Sequence, residues 1–167
     1  LPISPDPADV TRAAALIAKA KRPLVISGRG AMGNAAELTR FLDASGALYL
    51  DTQESRGLVP GSHPSFVGAV RARVMNEADL VIAVGRKLDY QVGYGSPAVL
   101  PNARWIRIAD NSEELRENRR GEVEFYAHPG LALAALAAAL GKPGAVDTEW
   151  TKAMRSEHVR RSSKYAE

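Results

Sequence analysis

Leu80-Val81-Ile82-Ala83-Val84-Gly85 is an unbroken apolar run closed by glycine, and Leu24-Val25-Ile26-Ser27-Gly28 is its near twin upstream. A strand with one wet face alternates apolar and polar residues, whereas a strand apolar throughout is buried on both faces, the habit of parallel sheets covered by helices. Shorter runs at Ala47–Leu50, Trp105–Ile108 and Val123–Tyr126 extend the set, with Phe66-Val67 as a very short further strand. Helical spacing fills the intervals. Asp6 reads as an N-cap with Pro7 at the first helical position, and Val10, Ala13, Ala14, Ile17 and Ala20 follow up to the Arg22-Pro23 stop. Leu38, Phe41 and Leu42 mark a helix over 34–44 that Gly46 ends; others are predicted over 69–78, after the Asp110-Asn111-Ser112 cap, and over 130–140 before Gly141. The alternation predicts an α/β fold: a Rossmann-like doubly wound sheet of the DHS-like NAD/FAD-binding type, mostly parallel, about six strands, helices on both faces. Ligands of such sheets sit beyond the carboxyl ends of the strands, here the turns after Ser27, Leu50, Val84 and Ile108.

The 167 residues, 46% hydrophobic and 25% charged, suit one globular domain that needs no metal or disulfide staple. Cysteine is absent, which excludes a thiol nucleophile, a thiolate zinc site and a disulfide framework. No apolar run reaches membrane-spanning length, and Leu1-Pro2-Ile3-Ser4 has no signal-peptide character, so the expectation is a soluble cytoplasmic protein. The net charge of +3 lies in one place. Between Thr151 and Glu167, Lys152, Arg155, Arg160, Arg161 and Lys164 outnumber Glu157 and Glu167 by three, so residues 1–150 are neutral. A basic tail on a neutral body lacks the basic stripe of a nucleic-acid binder.

Gly28-Arg29-Gly30-Ala31-Met32-Gly33 is a G-x-G-x-x-G between a strand and a predicted helix, with Asp51 at the end of the next strand. Those are the parts of a dinucleotide fingerprint: glycines admit the pyrophosphate, the helix N-terminus attracts it, and the acid holds a ribose hydroxyl. A tight strand-to-helix turn selects the same glycines with no ligand, so both readings stand at this point. Asn34 occupies the place where a P-loop needs Lys. Tyr-x-x-x-Lys, H-E-x-x-H and G-x-S-x-G are absent, and of His63, His128 and His158 the first two precede proline, as turn residues do. Gly85-Arg86-Lys87-Leu88-Asp89 offers a glycine turn, two cations and an acid that suit a phosphate and a ribose, or a surface turn in which Arg86 pairs with Asp89.

Three segments taken together are familiar: Arg22-Pro23-Leu24-Val25-Ile26-Ser27-Gly28-Arg29-Gly30, Asp51-Thr52 with Arg56-Gly57-Leu58-Val59-Pro60 and His63-Pro64, and Glu77-Ala78-Asp79 running into Leu80–Arg86. In order and spacing they resemble the central domain of thiamine diphosphate-dependent enzymes of the acetolactate synthase, pyruvate oxidase and oxalyl-CoA decarboxylase kind. The resemblance spans roughly Asp9 to Leu140. It implies a central domain over 1–146, with 147–167 as a basic linker or the start of the next domain, and a chain corresponding to the middle third of a lyase or transferase. In that family an N-terminal domain supplies the glutamate that activates thiamine, and a C-terminal domain holds magnesium and the diphosphate on a Gly-Asp-Gly motif, which this sequence lacks. The implied partners are those two domains, in a homo-oligomeric parent. No catalytic residue and no metal site is expected here. The implied cofactor residues, should this domain bind FAD or ADP as some members do, are Gly28, Arg29, Gly30, Thr52, Gly85, Arg86 and Asp89.

One position departs from the family pattern. The acid that helps bind adenosine after the isoleucine of the Trp105–Ile108 strand is here Ala109, followed by Asp110 and Asn111. Asp110, by strand alternation, points to the other face. A lost charge-assisted hydrogen bond weakens binding about ten- to a hundredfold, so the expectation is a structural or weakly nucleotide-binding domain. A self-sufficient NAD(P)-binding oxidoreductase domain and an interaction scaffold are the alternatives. The chain alone is expected to be inactive and a monomer or weak dimer.

Overall fold

The computed structural model describes residues 1–164. Five strands form one parallel sheet, β1 (Pro23–Ser27), β2 (Leu48–Leu50), β3 (Leu80–Val84), β4 (Arg104–Ala109) and β5 (Val123–Tyr126), in the order β2-β1-β3-β4-β5. Leu24 lies opposite Leu48 on one side and Val81 on the other, and Ile82 opposite Ile106. The sixth expected strand is one parallel bridge between Tyr49 and Phe66. It ends there because the chain enters a 3-10 turn at Gly68, where the Phe66 ring leaves no room for a Cβ.

Six helices cover the sheet: α1 (Pro7–Lys19), α2 (Ala35–Ser45), α3 (Arg71–Glu77), α4 (Ser112–Arg116), α5 (Pro129–Leu140) and α6 (Thr148–Lys164). Asp6 caps α1 through the Ala8 N–H at 2.8 Å, and Gly46 closes α2 at φ 69°. Strand alternation feeds two separate cores. Val25, Tyr49, Ile82, Val84 and Ile106 face α1, α2 and α5, which contribute Ile17, Phe41, Leu42, Leu133 and Leu136. Leu24, Ile26, Val81, Ala83 and Trp105 face the other way, against Val74 and Met75 of α3 and Trp150 and Met154 of α6. Both faces are therefore dry, which is why β1 and β3 read as continuous apolar runs.

The segment 148–164 is thus a helix seated on the body. Burying Trp150 and Met154 contributes about 1.5–3 kcal/mol each, several times an i,i+4 ion pair at about 0.3–0.5 kcal/mol, so apolar packing rather than its charge holds α6. Its polar groups fix the register: Arg155 donates to the carbonyls of Gly61, Ser62 and Phe66, and the Ala69 N–H donates to Nδ1 of His158 at 3.0 Å. No helix among the described residues is long and apolar enough to cross a membrane.

Candidate functional site

The strand order reverses between β1 and β3, which places the topological switch point, the usual ligand crevice of this architecture, at the carboxyl ends of those two strands. Here backbone closes it. The Gly30 N–H donates to the Gly85 carbonyl at 3.0 Å and the Gly28 N–H to that of Val84 at 3.0 Å. A Cβ on Gly30 would lie 2.7 Å from the Gly85 Cα, and one on Gly85, which holds φ 56°, 2.4 Å from the Gly30 Cα. These glycines serve the contact between two turns.

The G-x-G-x-x-G loop also does not open directly into a helix. Arg29–Ala31 is a 3-10 turn, Gly33 takes φ 81°, and α2 begins only at Ala35. Three of the loop's amides are committed internally, Ala31 to Gly28, Met32 to Arg29 and Asn34 to Ala31. A pyrophosphate cradle needs such N–H groups free and a helix terminus beside them. Asp51, the fingerprint's acid, accepts from the Gly57 N–H at 3.0 Å and lies outside the crevice described next.

A crevice of about 380 Å³ opens instead above β3 and its neighbours, lined by Arg29, Thr52, Gln53, Glu54, Gly85, Arg86, Lys87, Asp89, Asn111 and Glu114. Five of the seven residues singled out from the sequence line it; Gly28 and Gly30 do not. Arg86 forms its floor. Its side chain is 5% exposed, and Nη2 donates to Asp89 Oδ1 at 2.8 Å and Gln91 Oε1 at 3.1 Å. The Arg86–Asp89 pair of this turn exists, with Arg86 buried and Asp89 partly exposed, and the guanidinium Nε has no acceptor among the described residues. Asp89 also takes the Gln91 N–H at 3.0 Å. Arg29 meets Glu54 only at 3.9 Å on the exposed rim, a geometry worth little.

Thr52 sits at the wall with its hydroxyl already used, donating to the Ser27 carbonyl at 2.6 Å. Ser27, Tyr49, Thr52 and Ser55 form a buried hydroxyl network tying the ends of β1 and β2, with Ser27 Oγ 2.5 Å from the Tyr49 hydroxyl. Burial pushes the Tyr49 phenol up to about 12, outweighing its bond to Ser27. Gln53, next along, holds a left-handed φ of 39° on the crevice edge. The histidines are local fixtures: His63 receives the Ser65 N–H, and His128 caps α5 through the Leu131 N–H.

Two residues of the β4 side went unread. Arg107, 2% exposed in mid-strand, donates to the carbonyls of Glu114, Leu115, Glu117 and Arg119, and at 3.5 Å to that of Arg86. Burial lowers its pKa, partly offset by the Glu114 charge. It ties the Arg86 turn to α4 and so positions both banks of the crevice. A cation inside an apolar run was the available signal. Glu114 lines the crevice with Oε1 buried and without a donor, and burial raises its pKa above the usual carboxylate range against the lowering effect of Arg107. Ala109 is buried, and the Asn111 carbonyl oxygen caps α4 through the N–H groups of Glu113 and Glu114.

Residues 10–136 match the family model described as the thiamine pyrophosphate enzyme central domain. The chain is 33% identical over 117 residues to mouse 2-hydroxyacyl-CoA lyase 1, covering 68% of this chain and 20% of the relative. It is 31% identical over 117 residues to oxalyl-CoA decarboxylase of Escherichia coli K12 (69% and 21%) and 32% over 124 residues to a probable acetolactate synthase of Mycobacterium bovis (72% and 22%). The chain thus spans about a fifth of the length of these curated relatives. The fold matches the X-ray structure of a Mycobacterium smegmatis protein assigned to the thiamin diphosphate-dependent enzymes, at a TM-score of 0.69 and 19% identity over 85% of this chain and 29% of that one. Sequence and fold agree: the chain belongs to the thiamine pyrophosphate enzyme family and is a central domain of it.

Proposed function

We propose that the domain is a non-catalytic spacer between the N- and C-terminal thiamine diphosphate-binding domains of a lyase or synthase, and that its crevice takes the diphosphate of an ADP-like nucleotide weakly. The observation that carries the ligand reading is Arg86, a buried guanidinium at the crevice floor with an unpaired Nε, flanked by Arg29 and Lys87. A buried donor without an acceptor is costly, and a phosphate oxygen is the acceptor a guanidinium fits best. Glu54, Asp89 and Glu114 line the same crevice and balance those three cations. That balance keeps affinity in the range of tens of micromolar, on the order of −6 kcal/mol. FAD and NAD gain little grip from the glycine loop, where the N–H groups of Gly28, Gly30, Ala31, Met32 and Asn34 are already bonded.

The donor set of this chain does not fit thiamine diphosphate with its magnesium. Among the described residues no three His, Asp or Glu side chains are arranged to hold a metal ion, and the sequence has no Gly-Asp-Gly. No step through that cofactor is assigned to this chain. The reaction, cytoplasmic location and oligomeric state of the parent belong to the same proposal. So does the division at residue 146, with α6 as the docked start of the connection to the next domain. Exposed Met32, Tyr90, Tyr94 and Leu131 suit contacts with the neighbouring domains.

Calorimetric titration of the chain with ADP, adenosine, FAD and NAD tests the reading. ADP is expected to bind at tens of micromolar and adenosine more weakly. Submicromolar FAD binding, or a clear preference for NAD, would overturn it.

A further inference from the structure

The family pattern that the sequence resembles puts an acid that helps bind adenosine at the end of β4, and there this chain has Ala109, buried and without a polar group. Asp110 is exposed and absent from the crevice lining, and the Asn111 side chain is occupied in capping α4. Three carboxylates remain along the crevice. Glu54 stands on the rim, half exposed, beside Arg29. Asp89 already accepts from Arg86 and from the Gln91 N–H. Glu114 alone has an oxygen that is buried and receives nothing.

We infer that Glu114, carried on α4 and not on the strand end, is the residue that reads the sugar hydroxyls of a nucleotide whose diphosphate lies on Arg86; the inference rests on the nucleotide reading of the crevice. The position is built for the task. Arg107 holds the Glu114 carbonyl and reaches that of Arg86, so the two groups that would grip the two ends of the ligand hang from one buried cation. Arg107 makes no hydrogen bond to the Glu114 carboxylate, and Glu114 lines the crevice together with Lys87. A buried carboxylate oxygen without a donor is a strained arrangement that the protein does not relieve internally. A vicinal diol is a donor of matching chemistry: turned into the crevice, the carboxylate accepts from the 2′- and 3′-hydroxyls and gains the stabilisation its burial withholds.

The test uses the full chain, its Glu114→Gln and Glu114→Ala variants, and three probes: ADP, 2′,3′-dideoxy-ADP and inorganic pyrophosphate. In the unaltered chain ADP should bind about tenfold more tightly than the dideoxy analogue. In Glu114→Ala that ratio should fall to about one, with Glu114→Gln between, while pyrophosphate affinity stays unchanged. Denaturant unfolding monitors the fold of each variant; removal of the unpaired carboxylate should stabilise the ligand-free chain at neutral pH and leave it unaltered in acid, which a purely structural Glu114 would not do. Equal binding of ADP and its dideoxy analogue by the unaltered chain overturns the inference and leaves the anion-binding crevice standing. Failure of pyrophosphate and ADP alike to bind overturns the crevice reading, and the inference with it.

Discussion

The turns after β1 and β3 and the bank formed by β4 and α4 lie side by side at the same edge of one sheet, yet they are built in opposite ways. At the first, glycine removes side chains so that backbone meets backbone, with Gly30 N–H on the Gly85 carbonyl and no spare donor from Ala31, Met32 or Asn34. At the second, long charged side chains converge, Arg107 uses its guanidinium on carbonyls, and Glu114 is left with an unpaired oxygen. The glycine loop carries a ligand-site pattern in sequence, and in space its glycines meet the turn after β3 backbone to backbone. The bank carries no motif and holds one unpaired group, the Glu114 oxygen, opposite in role to the unpaired Arg86 Nε in the turn after β3.

The sharpest way to break the contrast is at Gly85. Alanine there meets both a left-handed φ and Gly30 backbone at 2.4 Å, so Gly85→Ala should destabilise by about 3–5 kcal/mol in urea unfolding. Gly33→Ala, at φ 81° with nothing within 4 Å, should lose only about 1–2 kcal/mol. Equal losses would show that conformation, not the close approach, selects the glycines. On the other bank, Arg107→Met strands the carbonyls of Glu114, Leu115, Glu117 and Arg119, with an expected loss of about 2–4 kcal/mol. Amide exchange over residues 112–119 should rise more than the global loss explains; a uniform rise would mean that Arg107 does not specifically hold α4.

A smaller effect comes from α6, remote from both regions. His158 receives the Ala69 N–H on Nδ1 and is therefore neutral when docked, and burial, with Arg155 beside it, depresses its pKa. A depressed histidine leaves the unfolded chain holding more protons between the two pKa values, so stability is complete above about pH 6.5 and falls as pH drops from there towards the folded value. His158→Gln should flatten that slope at the loss of about 1 kcal/mol at neutral pH, read from unfolding at several pH values. Least of all should Arg29→Ala matter. Its contact with Glu54 at 3.9 Å is exposed, and the change in stability should stay within about 0.5 kcal/mol.

The architecture was legible because its causes are local and repetitive. Leu80–Val84 is apolar at every position since both faces are covered, and Asp6-Pro7 and Gly46 mark helix ends by their own backbone demands. The very short strand expected at Phe66-Val67 is reduced to one bridge because Gly68, whose crowding against the Phe66 ring is a matter of packing, turns the chain away. The site was half legible. Arg86 and Asp89 stood out as a charged turn after the best strand, but the burial of Arg86 depends on Gly28, where a Cβ would lie 2.8 Å from the Arg86 Cδ. Glu114 and Arg107 were hidden, since a glutamate in a first helical turn is ordinarily a dipole partner and only the three-dimensional course of α4 brings it to the crevice. The glycine fingerprint is ambiguous in sequence because pyrophosphate approach and turn-to-turn approach impose the same residue.

Hydrogen–deuterium exchange of the full chain with and without saturating ADP tests the difference between the two regions most directly. New protection should appear over residues 85–89 and 111–115, while Gly30, Ala31, Met32 and Asn34, already bonded internally, should exchange as before. Protection that gathers instead over 30–36, the glycine loop and the start of α2, would mean that the fingerprint grips the ligand after all and would contradict the account.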